Sequence, residues 1–194
     1  MGFKTKALLL ISNAVGSVAF TFATPTLNVY FYSQVDSKIL AIAAVLATFF
    51  TATVKSTIAV KKIKDLYRKH FTAIVIVDVI AFCCVCIASD SIPEVRFIGT
   101  AIINFISTVM WGSILSDSVN RLIDGEKLTT WRSISDSCSY YSALLGGILA
   151  IIITDLSVEV CLAIQCLSTF IMGIMDIKVY NIMDVAIKEK EGDK

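Results

Sequence analysis

Residues 71–89 read Phe-Thr-Ala-Ile-Val-Ile-Val-Asp-Val-Ile-Ala-Phe-Cys-Cys-Val-Cys-Ile-Ala-Ser, an apolar run interrupted by one charge, Asp78. A helix that crosses a bilayer needs roughly 20 mostly apolar residues. This stretch meets that requirement, with Arg68 and Lys69 fencing one end and Asp90 and Glu94 the other. Working outward with charges as fences, the same test picks out residues 7–31, 39–60, 97–118, 131–153 and 158–177. The 194-residue chain is 56% hydrophobic and 17% charged, more apolar than a soluble domain of this size can bury. The expectation is an all-α membrane protein in which residues 1–194 form a single domain of six transmembrane helices. The connections are too short to hold a catalytic domain outside the membrane.

The placement of charge predicts the orientation. Lys4 and Lys6 precede the first span; Lys61, Lys62, Lys64, Arg68 and Lys69 follow the second; Arg121, Lys127 and Arg132 follow the fourth. The remaining connections carry Asp36 with Lys38, then Asp90, Glu94 and Arg96, then Asp155 and Glu159, and are neutral to acidic. By the positive-inside rule the N-terminus, the even-numbered connections and the C-terminus lie in the cytoplasm, with the protein in the cell (inner) membrane. A rival reading makes the first span a cleaved leader, because Lys4 and Lys6 precede Ala7 to Ile11 and Ser17-Val18-Ala19 resembles a cleavage site. Loss of that span would leave five crossings and place the new N-terminus outside. Cys83, Cys84, Cys86, Cys138, Cys161 and Cys166 fall inside predicted spans and read as small packing residues. Pro25 is expected to kink the first helix or free a carbonyl. The break at Ser89 to Arg96 divides the spans into three plus three of opposite starting side, an inverted-repeat arrangement.

Several spans are polar along one face. In the first, Asn13, Ser17, Thr21, Thr24 and Asn28 recur at steps of three or four and draw one stripe. The fourth gives Asn104, Thr108, Trp111 and Ser118; the fifth Asp136, Tyr140, Ala143 and Gly147; the sixth Gln165, Thr169, Gly173 and Asp176. Such stripes serve either as helix-packing glue or as the wall of a shared polar cavity.

Ionisable side chains inside a membrane cost at least about 2.5 kcal/mol on insertion scales. Lys55, Asp78 and Asp136 are the candidates here, and at about 1.5 Å per residue all three sit roughly 8 to 11 Å inside the cytoplasmic face. Lys55 either snorkels to the interface or pairs with Asp78 as a latch between adjacent helices. Asp136 is the candidate to bind a cation or carry a proton, whereas Asp117 and Asp176 read as interfacial. The tail from Lys188 to Lys194 alternates in charge and reads as solvated and mobile.

The run Thr24-Pro25-Thr26-Leu27-Asn28-Val29-Tyr30, followed by a short turn and an alanine- and threonine-rich second helix, resembles the first hairpin of the major facilitator superfamily. Lys61 to Lys69, with Asp65, is similar to that family's G-x-x-x-D-x-x-G-R-K loop without its glycines, Arg68 standing where the second belongs. Cys138, Ser142, Ala143, Gly146 and Gly147 fall at the spacing of the family's G-x-x-x-G-P-x-x-G-G motif, with small residues throughout and no proline. Arg121 to Trp131 resembles the polar link between the fourth and fifth helices. The resemblance covers one half of a typical twelve-helix member, which is itself a three-plus-three inverted repeat.

The resemblance implies a homodimer in which two copies stand in for the two halves. Its first and fourth helices would line the shared cavity through Asn13, Ser17, Thr21, Thr24, Asn28, Asn104, Thr108 and Trp111. Tyr140, on the stripe of the fifth span, joins them as a candidate. The expected function is that of a half-size secondary transporter of a small organic or amphipathic solute, working by alternating access and coupled to protons through Asp136 or Asp78. Its expected partners are the lipid bilayer, a second copy and the solute, with no nucleic acid and no cofactor. The sequence carries no nucleotide-binding loop, metal cluster or catalytic triad, which argues against an ATP-driven pump, and a membrane-embedded enzyme ranks lowest because the carboxylates are scattered at similar depth without a nucleophile and base pair. The alternative is a non-transporting partner or immunity-type protein that keeps a transporter-like bundle.

Overall fold

A computed structural model describes residues 1–36, 38–40, 42–44, 46–47, 67–153 and 156–192. Among these every regular element is helical: α1 (Phe3–Gln34), α2 (Phe71–Ser91), α3 (Pro93–Ile106), a π-helical turn (Ser107–Trp111), α4 (Gly112–Leu122), α5 (Gly125–Ile152) and α6 (Val158–Gly192). Residues 38–40, 42–44 and 46–47 are helical as well. Most of the expected 39–60 span, including Lys55, lies outside the described residues. Of the described helices, α1, α2 and α6 are long and apolar enough to cross a membrane. The chain is therefore, over its described residues, an all-helical protein with membrane-spanning character. The helical run 93–122 falls short of the same test because the π turn divides it. α5 falls short because Lys127, Arg132 and Asp136 occupy its first half.

The chain forms two compact units, Met1–Pro25 with Leu115–Lys194, and Thr26–Ile114. In the first unit the buried face of α1 runs through Thr5, Leu9, Ser12, Ala19 and Ala23, and that of α6 through Cys161, Gln165, Thr169, Asp176, Tyr180, Met183 and Ile187. Both follow the three-and-four spacing that keeps residues on one side of a helix. At one end Leu9, Val119, Ile123, Trp131, Val179 and Met183 pack as a core contributed by α1, α4, α5 and α6. The chain passes from α4 to α5 through an extended Asp124 and Gly125, whose φ of +53° only a residue without Cβ adopts at no cost. α1 continues through Pro25, which removes the N–H that the Thr21 carbonyl would accept.

Asp176 is buried within the first unit. One expectation changes here: the tail read as solvated and mobile is helical as far as it is described, α6 carrying on through Lys188 and Lys190 to Gly192. Its last turns are held by ion pairs of Lys188 with Asp184 at 2.7 Å, Arg121 with Glu191 at 3.2 Å and Lys190 with Asp124 at 3.4 Å.

The second unit contains the α2–α3 hairpin. Ile92 is extended, its N–H returns to the Ala88 carbonyl, and Pro93 opens α3 at the position where a missing N–H costs nothing. The two helices then run against each other: Arg96 reaches Cys86 at 3.6 Å, and a Cβ on Gly99 would meet Val85 Cγ2 at 2.5 Å. Further along the hairpin, Ser107 of the π turn lies against Asp78.

In the first unit α5 comes close to the backbone of α1 at Gly146, where a Cβ would stand 2.5 Å from the Val18 carbonyl oxygen and 3.1 Å from Val18 Cα. Backbone cannot yield as a flexible side chain can. Gly146→Ala is expected to cost about 1–3 kcal/mol through overpacking. Gly147→Ala should cost little, since its nearest neighbour, Thr21 Cγ2, stands 3.8 Å away. Thermal unfolding in mild detergent, compared between the two variants, checks this.

Candidate functional site

The first unit is tied across its helices by polar side chains. Ser12 Oγ donates to Asp176 Oδ1 at 2.7 Å, both residues buried. Asn13 Nδ2 donates to Ser135 Oγ at 3.2 Å, and Gln165 Nε2 donates to Thr24 Oγ1 at 3.0 Å. Cys138 Sγ approaches the Leu10 carbonyl at 3.8 Å. These bonds join α1 to α5 and α6. In a hydrocarbon setting a polar side chain is retained at low cost only when a neighbouring helix supplies its partner. The sixth-span stripe lies inward, with Gln165, Thr169, Gly173 and Asp176 all buried.

The candidate residues fall into distinct environments. Asn13 and Thr24 are half-buried and used in cross-helix bonds; Ser17 and Thr21 are half-buried beside them and make no side-chain hydrogen bond among the described residues. The deepest face of α1 is centred on Ser12, one position to the side of the stripe that the sequence marks. Asp136 and Tyr140, on α5, are exposed, Tyr140 at 75%. In the second unit Asn28 and Asn104 are exposed, Thr108 is half-buried and Trp111 is buried.

Asp78 stands apart. It is only 3% exposed, with Val75, Val79 and Phe82 buried beside it on α2. Ser107 Oγ donates to Oδ2, while Oδ1 is buried with no hydrogen-bond partner among the described residues. Ser107 opens the π turn, in which the Gly112 N–H bonds back to the Ser107 carbonyl. Sequence marked Asp78 by its charge in an apolar run. Ser107 was missed: it sits one place before Thr108, off the stripe drawn for that helix.

A further group of charges closes one end of the first unit. Arg121 pairs with Asp117 at 3.0 Å and with Glu191, Lys190 donates to the Arg121 carbonyl at 3.0 Å, and Arg132 donates to Asn120 at 2.9 Å. The Lys6 ammonium lies 5.8 Å from the centre of the Trp131 ring. An open recess of about 590 Å³ there is lined by Met1, Lys6, Leu122, Ile123, Asp124, Glu126 and Lys127.

Ser12→Ala withdraws a donor from a buried carboxyl and is expected to cost about 1–3 kcal/mol. Asn13→Ala removes a half-buried neutral bond and should cost about 1 kcal/mol or less. Thermal unfolding of both variants in detergent gives the comparison.

Comparison with protein-family models, with curated proteins and with solved structures finds no match to this chain.

Proposed function

We propose that the chain is a six-span protein of the cell (inner) membrane with both termini in the cytoplasm. In this reading it works as a homodimeric half-size secondary transporter that moves a small organic or amphipathic solute by alternating access. The six spans comprise α1, α2 and α6 together with residues 39–60, the helical run 93–122 and α5, arranged as a three-plus-three inverted repeat like one half of a major facilitator.

The observation that carries the reading is the exposure of polar groups in the middle of these helices. Asn104 is exposed on α3 between exposed Ile102 and Phe105, and Asp136 is exposed on α5 above exposed Tyr140 and Leu144. An amide or carboxylate turned toward acyl chains has no partner and carries the full cost of desolvation. Such groups are retained where water, a solute or a second copy faces them. Asn28 and Tyr140 extend the same kind of surface.

A second reading is favoured by the bonds of Ser12, Asn13 and Thr24. These tie α1 to α5 and α6 as a fixed scaffold does, which suits a non-transporting partner protein with a transporter-like bundle.

Purified chain in liposomes separates the two. The carrier reading expects flux of at least one solute from a panel of small organic compounds and a dimer by mass measurement in mild detergent. It also expects a drop in flux of about tenfold or more on Asn104→Leu with unfolding temperature preserved. Absence of flux across the panel, or a strict monomer, would leave the scaffold reading in possession.

A further inference from the structure

We infer that Asp78, held by Ser107 at the start of the π turn, is a proton-binding site that loads at Oδ1, and that it rather than Asp136 is the coupling group of the transporter. The coupling role rests on the carrier reading given above; proton binding itself does not.

The geometry selects Asp78. Both carboxylates were candidates in the sequence, but Asp136 is exposed, where water or a partner copy solvates it in either state. Asp78 is buried, with one oxygen engaged and the other without a hydrogen-bond partner among the described residues. The Ser107 hydroxyl donates to Oδ2 whether or not Oδ1 carries hydrogen, so it holds the carboxyl in place through the cycle. The step is simple: hydronium and the carboxylate give the neutral acid and water, the new O–H bond forming at Oδ1. The reverse step returns the proton to water.

Among the described residues no fixed positive charge stands beside Asp78 to keep it ionised; Lys55 lies outside them. On α2 itself the other titratable groups are Cys83, Cys84, Cys86 and Asp90, and on α3 they are Glu94 and Arg96. The π turn has none. Arg96 engages Cys86, eight residues from Asp78, or about 12 Å along the helix. Tyr67, Arg68, Lys69 and His70 precede α2, with Asp78 about 12 Å from His70 by the same rise. A metal ion would need several oxygens in place of its hydration shell, and among the described residues the carboxyl and one hydroxyl fall short of that. A proton needs one lone pair. A π turn, rare and recurrent at functional positions, supplies the residue that meets the carboxyl.

Infrared difference spectroscopy on the full chain in liposomes, stepped between acid and alkaline pH, tests the site directly. The carboxylic C=O band is expected to rise and fall with pH, to vanish in Asp78→Asn and to persist in Asp136→Asn. In Ser107→Ala it should persist with a displaced frequency and titration midpoint. Asp78→Glu guards against loss of fold in the Asn variant and should keep a displaced band. A band that survives Asp78→Asn, that disappears in Asp176→Asn instead, or that responds to sodium and not to pH overturns the site. A band assigned to Asp78 without solute flux keeps the site and removes the carrier. A band assigned to Asp78 with flux equally pH-dependent in Asp78→Asn removes the coupling role alone.

Discussion

Hydrocarbon offers no hydrogen bonds, and that single constraint decides where each polar side chain of this protein goes. A hydroxyl or amide on a helix in lipid either finds a partner on another helix or turns to a surface that lipid does not cover. Ser12 with Asp176, Asn13 with Ser135 and Thr24 with Gln165 follow the first course, and together they set the rotation of α1 against α5 and α6. Asn104 and Asp136 are exposed. Asp78 is satisfied in part: Ser107 engages one of its oxygens, and the other has no hydrogen-bond partner among the described residues.

Between apolar helices in lipid there is little hydrophobic drive, so close packing and these few bonds carry the association. The near contact of Gly146 with Val18 fits that logic: absence of a side chain lets two backbones approach and gain many small dispersion contacts. The ion pairs around Arg121 are of a different kind. They are largely exposed, each is worth at most about 1 kcal/mol, and added salt weakens them. They align the end of α6 rather than hold the bundle together.

The long apolar runs that became α1, α2 and α6 were legible because hydropathy over twenty residues is a one-dimensional signal. So was Asp78, a charge in a run of Ile and Val. Ser107 was not, since its meeting with Asp78 depends on the α2–α3 hairpin and on a π turn that displaces the register by one residue; a strict three-and-four spacing passes over it. The buried face of α1 lies one position to the side of the polar stripe, and sequence did not mark it. Large polar residues such as Asn13 draw the eye, while the deepest face is marked by small ones, Ser12, Ala19 and Ala23, that allow close approach. The last turns of α6 were read as a loose tail because their Lys and Glu alternate at spacings that suit a solvated helix equally well.

α6 is 35 residues long, about 52 Å at the usual rise, against a hydrocarbon layer of about 30 Å. If α6 crosses the bilayer upright, roughly two fifths of it projects into water as a stiff rod. A rod of that length is a lever: a tilt of ten degrees about its far end sweeps the tip through about 9 Å at this rise per residue. Movements of an ångström or two where Asp176 is seated would thus arrive magnified at Lys190 and Glu191, and a grip on that tip from the aqueous side would be geared down into the membrane.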